Sequence, residues 1–223
     1  MAGPDHPGDS DVSAQRLVTG LLLVNQLVGL ACQFIQDTDS RFPLWYFTVD
    51  SAIAAAAVAL LTLLVPRARC LPVLRHTAAV GVIVSAVIFA AFIAPGTETG
   101  TWFQPHDDTA VRMATVLFHG TAPILVVADY LLHQPRIRAL QAVAWAYLWP
   151  LTYFAGLCVL VAVFGQSAVP YPFLSPEAMG WAAVACAVIA LILLVSSCGL
   201  ILGALSRTRR RRWAGRQTDD PPR

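Results

Sequence analysis

MGWAAVACAVIALILLVSSCGLILGAL at residues 179–205, followed at once by Ser206-Arg207-Thr208-Arg209-Arg210-Arg211-Arg212, decides the fold. The apolar run holds no acidic or basic side chain. A helix needs ~20 residues to cross ~30 Å of hydrocarbon, so this run is long enough to span a bilayer. The arginine cluster that ends it marks one membrane face, where guanidinium groups meet anionic lipid headgroups and hold the last helix in place.

Five further runs of the same kind lie upstream, at residues 17–35, 42–65, 73–93, 111–132 and 139–165. Composition agrees, because a chain with 57% hydrophobic residues, 13% charged residues and a mean hydropathy of +0.64 cannot hide its apolar surface as a soluble domain. All 15 Lys-plus-Arg positions are arginine. Threading the six runs through a membrane puts Arg16, Arg67, Arg69, Arg75, Arg136, Arg138, Arg207, Arg216, Arg223 and the 209–212 cluster on one side. Only Arg41 and Arg112 fall opposite, so the positive-inside rule predicts that both termini are cytoplasmic. The expected fold is all-α: a polytopic cell-membrane protein made of a single six-transmembrane-helix bundle. Residues 1–15 read as a disordered cytoplasmic tail, 16–206 as the transmembrane domain and 207–223 as a basic cytoplasmic tail. The short inner connections predict antiparallel packing of consecutive helices.

The same pattern disposes of several functions. An arginine cluster directly after a spanning segment reads as lipid-facing, so no nucleic-acid partner is expected. Cys32, Cys158, Cys186 and Cys198 fall inside predicted helices and Cys70 in a cytoplasmic loop, which suits apolar packing and not a disulfide framework. His106-Asp107-Asp108 carries metal-capable side chains, but three consecutive residues cannot close a site, so neither a metal nor a cofactor is expected.

Polar side chains inside hydrocarbon are costly and are functional candidates by default. Here they are Asn25, Gln26, Thr48, Asp50, Ser51, His119, Thr121, Asp129, Thr152 and Tyr153. At ~1.5 Å per residue, Thr48 lies ~9 Å below the outer end of the second run and His119 ~12 Å below that of the fourth, so the two can meet at one depth. A hydroxyl is a poor nucleophile unless a neighbouring base takes its proton, and histidine is the usual base near neutral pH. Pro123 lacks the N–H that would bond the carbonyl of residue 119, which predicts a loosened helix at His119; Pro150 predicts the same near Ala146. Asp129 and His133, with Arg136 and Arg138, read as a surface ion-pair cluster, and Arg75 and His76 as snorkelling residues.

Three motifs carry a family resemblance: Tyr46-Phe47-Thr48-Val49-Asp50, His119-Gly120-Thr121-Ala122-Pro123 with Asp129, and Tyr171-Pro172-Phe173-Leu174. In this order and placement the chain resembles the bacterial predicted six-transmembrane protein family, which is related to the eukaryotic androgen-induced membrane protein family. The resemblance implies a membrane hydrolase of fatty acid esters of hydroxy fatty acids, with Thr48 as nucleophile and His119 as base. Ala52 stands where the bacterial pattern usually has Asn, and the His119-to-Pro123 spacing is one residue shorter than in the eukaryotic proteins.

Substrate-binding candidates join this pair. Arg112 precedes His119 by seven residues and, on a regular helix, shares its face, in position to hold a substrate carboxylate. Ser51 lies ~60° around the helix from Thr48, whereas Asp50 lies ~200° away. Tyr171 belongs to a proline-broken aromatic segment suited to roof the bundle mouth. The expected partners are therefore a lipid or lipid-ester substrate and the membrane. The alternatives are a small transporter or channel-like protein using Asp50, Asn25 and Gln26 as a polar pathway, and a non-catalytic membrane scaffold. For the topology, a reporter fused at the C terminus and one inserted within residues 98–104 should report opposite compartments; agreement between them would refute six crossings.

Overall fold

A backbone amide that enters hydrocarbon has no water to bond, so each crossing must satisfy its own main chain. The computed structural model describes residues 7–36, 38, 41–95 and 108–219, and among them the regular structure is entirely helical. In order these are α1 (Pro7–Ile35), α2 (Phe47–Leu64), α3 (Leu71–Ile88), α4 (Thr109–Val116), α5 (Ala122–His133), α6 (Ala139–Ala146), α7 (Leu148–Phe164), α8 (Pro176–Met179) and α9 (Trp181–Asp219). α3 continues through a π turn at Phe89–Ile93, and α4 joins α5 through another at Leu117–Thr121. Six segments are long and apolar enough to cross a membrane: Val12–Ile35, Phe47–Leu64, Leu71–Ile93, Thr109–His133, Ala139–Phe164 and Trp181–Thr208.

The two π turns share one cause. Each ends two residues before a proline, Pro95 or Pro123, whose missing N–H removes the bond to the carbonyl at the middle of the turn. The chain compensates with longer bonds, Ala94 N–H to the Phe89 carbonyl and Ala122 N–H to the Leu117 carbonyl. The loosening expected at His119 is thus a π turn. Pro150 has its expected effect too, since the fifth crossing breaks at Tyr147 between α6 and α7.

α3 is the central helix, touching α2, α5, α6, α7 and α9 and burying Ala79, Val80, Val82 and Val84. Where helices meet most closely, the sequence supplies small residues, because lipid offers no hydrophobic drive and packing depends on close approach. Gly199 and Gly203 of α9 lie against Ala142 and Ala146 of α6. A Cβ on Gly199 would stand 2.9 Å from the Ala142 carbonyl oxygen, and one on Gly203 would stand 2.9 Å from the Ala142 Cβ. Gly29 of α1 likewise admits the ring of Phe118, 2.6 Å from where a Cβ would be.

Several expectations need correction. The first helix begins at Pro7, so residues 7–15 continue α1 instead of forming a disordered tail, and α9 runs to Asp219 through most of the basic tail. α2 starts at Phe47, after a 3₁₀ turn at Pro43–Trp45, which puts Thr48 in its first turn and not ~9 Å inside it. The tail residues 1–6 and 220–223, and most of the outer connection at 96–107, lie outside the described residues.

The largest correction concerns the arginine-rich end. Arg75, His76 and Asp129 are buried at 5%, 0% and 3% exposure, so they neither snorkel nor form a surface cluster. Arg75 Nε donates to Asp129 Oδ2 at 2.8 Å, and Arg75 Nη2 to the Thr62 hydroxyl at 2.8 Å. Thr19 of α1 donates to Asp129 Oδ1 at 2.5 Å, and His133 packs its Nδ1 against the Asp129 carbonyl at 2.9 Å. His76 Nε2 meets the Ala142 carbonyl at 2.8 Å and must donate there, so Nδ1 of the neutral ring accepts from the Tyr130 hydroxyl at 2.8 Å. These bonds tie α1, α2, α3, α5 and α6 together. Because removing one member strands a buried charge, Arg75→Met should destabilise the protein by about 3–5 kcal/mol in detergent unfolding. Arg75→Met with Asp129→Leu should recover much of that; a double variant as unstable as the single would show that the pair does not act as a charge-compensated unit.

Candidate functional site

The end opposite the arginines is assembled around the start of α2. Tyr153 of α7 donates its hydroxyl to the Trp45 carbonyl at 2.8 Å, and its ring meets Phe47 edge-on at 5.2 Å, which pins the turn that launches α2. Thr48 then points between α2 and α3, where its hydroxyl lies 2.7 Å from that of Ser85. Either oxygen can donate. With Ser85 donating, the Thr48 proton is left for another acceptor.

A cavity of about 610 Å³ opens on Thr48. Gln33 of α1 and Gln36 just beyond its end, Phe89 and Phe92 of the π turn that continues α3, Val111 and Thr115 of α4, and His119 line it. Tyr171 and Phe173 line it too, so the proline-broken segment lies against the Thr48 cavity. The Tyr171 and Phe173 rings stack at 5.3 Å, and Tyr171 meets Tyr46 edge-on at 6.1 Å. A smaller void of about 60 Å³ lies beyond Thr48, lined mainly by apolar side chains with Ser85 among them. None of the described residues lining the large cavity is Asp, Glu, Lys or Arg.

His119 sits in the π turn of the fourth crossing. Its ring stacks face to face on Phe89, with centroids 4.0 Å apart and planes 3° from parallel. Both π turns therefore meet through these two side chains. His119 Nδ1 is buried with no hydrogen-bond partner among the described residues, so the ring is held by stacking and not by a polar neighbour. Tyr171 is buried at 8% exposure. Burial raises its phenol pKa above the ordinary tyrosine value, and the Thr48 hydroxyl and the backbone at Phe47 and Thr48 oppose this only in part. The phenol therefore remains a proton donor beside Thr48 at physiological pH.

Of the residues singled out from sequence, Thr48, His119 and Tyr171 share this cavity. Ser51 does not: it is buried at 1% exposure between α2, α3 and α7, where it accepts a hydrogen bond from Trp149 Nε1 at 3.0 Å. Arg112 is exposed and absent from the lining, and the π turn supplies the reason. Five residues spent on a π turn shift the register, so Val111 and Thr115, not Arg112, share the cavity face with His119. Asn25 donates to the Leu117 carbonyl at 3.1 Å and accepts from Thr121, bridging α1 to the π turn. Thr152 bonds back to the Leu148 carbonyl of its own helix. Of the metal-capable trio, His106 and Asp107 lie outside the described residues; among the described residues no group of three His, Cys, Asp or Glu side chains is placed to hold a metal.

Ser85, Gln33, Gln36 and Phe89 were not anticipated. A signal existed for Phe89: Pro95 stands to it as Pro123 stands to Leu117. Ser85 had none, because a serine in a spanning helix is ordinarily bonded to its own backbone. No protein-family model, curated protein or solved structure matches this chain.

Proposed function

We propose that the protein is a membrane-embedded hydrolase of lipid esters, with Thr48 as nucleophile and His119 as general base. The observation that carries this reading is the convergence of the Thr48 hydroxyl, a histidine with an unbonded ring nitrogen and a protonated phenol on one largely apolar cavity. Such walls suit an ester with long acyl chains, and the three polar groups are the set that acyl transfer requires.

In the proposed reaction His119 takes the Thr48 proton as Thr48 Oγ1 bonds to the ester carbonyl carbon. The Tyr171 phenol donates a hydrogen bond to the resulting oxyanion. Collapse breaks the ester C–O bond, and protonated His119 returns its proton to the departing alkoxide, releasing an alcohol and leaving acyl-Thr48. Water then adds to that acyl carbon as His119 accepts its proton. The second collapse frees the carboxylic acid and returns the proton to Thr48. Ser85 holds the Thr48 rotamer through its hydroxyl. With both termini cytoplasmic, the cavity opens at the outer half of the cell membrane.

The substrate class, fatty acid esters of hydroxy fatty acids, comes from the family resemblance of the three motifs. The described lining of the cavity carries no Lys or Arg, which supports recognition of the ester and its chains over recognition of a free carboxylate. A polar transport pathway through Asp50, Asn25 and Gln26 has less support, since Asn25 is bonded across helices and none of the three lines the large cavity.

Purified protein assayed on these esters should lose roughly 10³-fold or more in kcat with Thr48→Ala or His119→Ala, and the double variant should be little worse than either. Tyr171→Phe should lower kcat by roughly 10²-fold with a smaller effect on KM. Arg112→Gln should act equally on acidic esters and their methyl derivatives. Full activity in Thr48→Ala, or additive losses in the double variant, would end this reading.

A further inference from the structure

The arginine-rich end of the bundle holds a second cavity, of about 430 Å³, that ester hydrolysis does not use. Gln15, Arg16 and Thr19 of α1 line one wall, Thr62, Arg67 and Arg75 around the α2–α3 connection line another, and His133 ends α5 on a third. Three arginines and a histidine thus line one cavity, and no described lining residue is acidic.

Among the described residues the charge is only partly neutralised. Asp129 lies behind this wall, buried, and its carboxylate is already bonded to Arg75 and Thr19, so one acid cancels one arginine. Arg16 and Arg67 make no ion pair or hydrogen bond with the described residues, and both are exposed at the cavity mouth. The result is an excess of two positive charges over a floor of hydroxyl and guanidinium groups, in walls whose low dielectric concentrates the field. His133 turns its Nδ1 to the Asp129 carbonyl, which leaves Nε2 as the ring's other polar atom.

We infer that this cavity binds a phosphate-bearing anion, with Arg16 and Arg67 as its principal contacts. Guanidinium forks match the paired oxygens of a phosphate, and both arginines are available, whereas Arg75 is held by Asp129 as part of the fold. The site lies at the helix ends, where a bilayer places its headgroups, so the phosphate can come from an anionic lipid or from solution. This inference is independent of the proposed ester chemistry.

Full-length protein in phosphatidylcholine nanodiscs is unfolded thermally against increasing inorganic phosphate, and in parallel in nanodiscs with increasing phosphatidylglycerol. At least one series should stabilise the protein, since a ligand of the folded state raises its unfolding temperature. The Arg16→Gln/Arg67→Gln variant should need about tenfold or more of that ligand for the same shift. Arg69→Gln/Arg136→Gln, which removes as many charges from the same end without touching the lining, should behave as wild type. Stabilisation by phosphatidylglycerol alone assigns a lipid headgroup, and by phosphate alone a soluble anion. No stabilisation by either, or an equal loss in the control variant, overturns the inference.

Discussion

Everything in this structure follows from one constraint: a peptide group in hydrocarbon must find its hydrogen bond within the protein. The constraint makes the crossings helical, and it makes any departure from α-helical bonding informative, because the freed groups have to be met nearby. Two such departures are the π turns before Pro95 and Pro123, and they meet where Phe89 stacks on His119. Proline creates the irregularity, the π bonds absorb it, and the register shift points His119, Thr115 and Val111 into a common cavity. The site is thus built from the same residues that disturb the helices.

The bundle divides its polar groups between two ends of different character. At the Thr48 end the described residues that line the cavity include no Asp, Glu, Lys or Arg, and the remaining walls are aromatic and aliphatic. At the arginine end Thr19, Thr62, Arg75 and Asp129 are bonded to one another, and His76 is bonded separately to Tyr130 and the Ala142 carbonyl, which together tie five helices into one base. Small residues at Gly199 and Gly203 bring α9 close to α6 at this base, and Gly29 does the same for α1 and Phe118 beside the Thr48 cavity.

The six crossings were legible because apolar run length is a property of single segments, and Pro123 and Pro150 announced their distortions in the same local way. The partners of polar side chains were not legible. Asp129 and Arg75 are 54 positions apart and read separately as surface charges; only the packing of α3 against α5 shows them to be one buried pair. Arg112 was placed on the His119 face by counting 3.6 residues per turn, and a single π turn defeats that count. Ser51 lies outside the large cavity for a related reason: its angular closeness to Thr48 says nothing of Trp149, which bonds it from another helix. Thr48, His119 and Tyr171 survive as cavity neighbours because three motifs distant in sequence singled them out together.

The central claim is that Thr48 becomes covalently acylated. Protein mixed with an activated long-chain ester, quenched within the first turnovers and digested, is examined by mass spectrometry for an acyl adduct. The account predicts one acyl group on the peptide carrying Thr48, accumulating in wild type and absent in Thr48→Ala and His119→Ala. Turnover of the ester with no adduct on Thr48, or an adduct on another side chain that persists in Thr48→Ala, would contradict it.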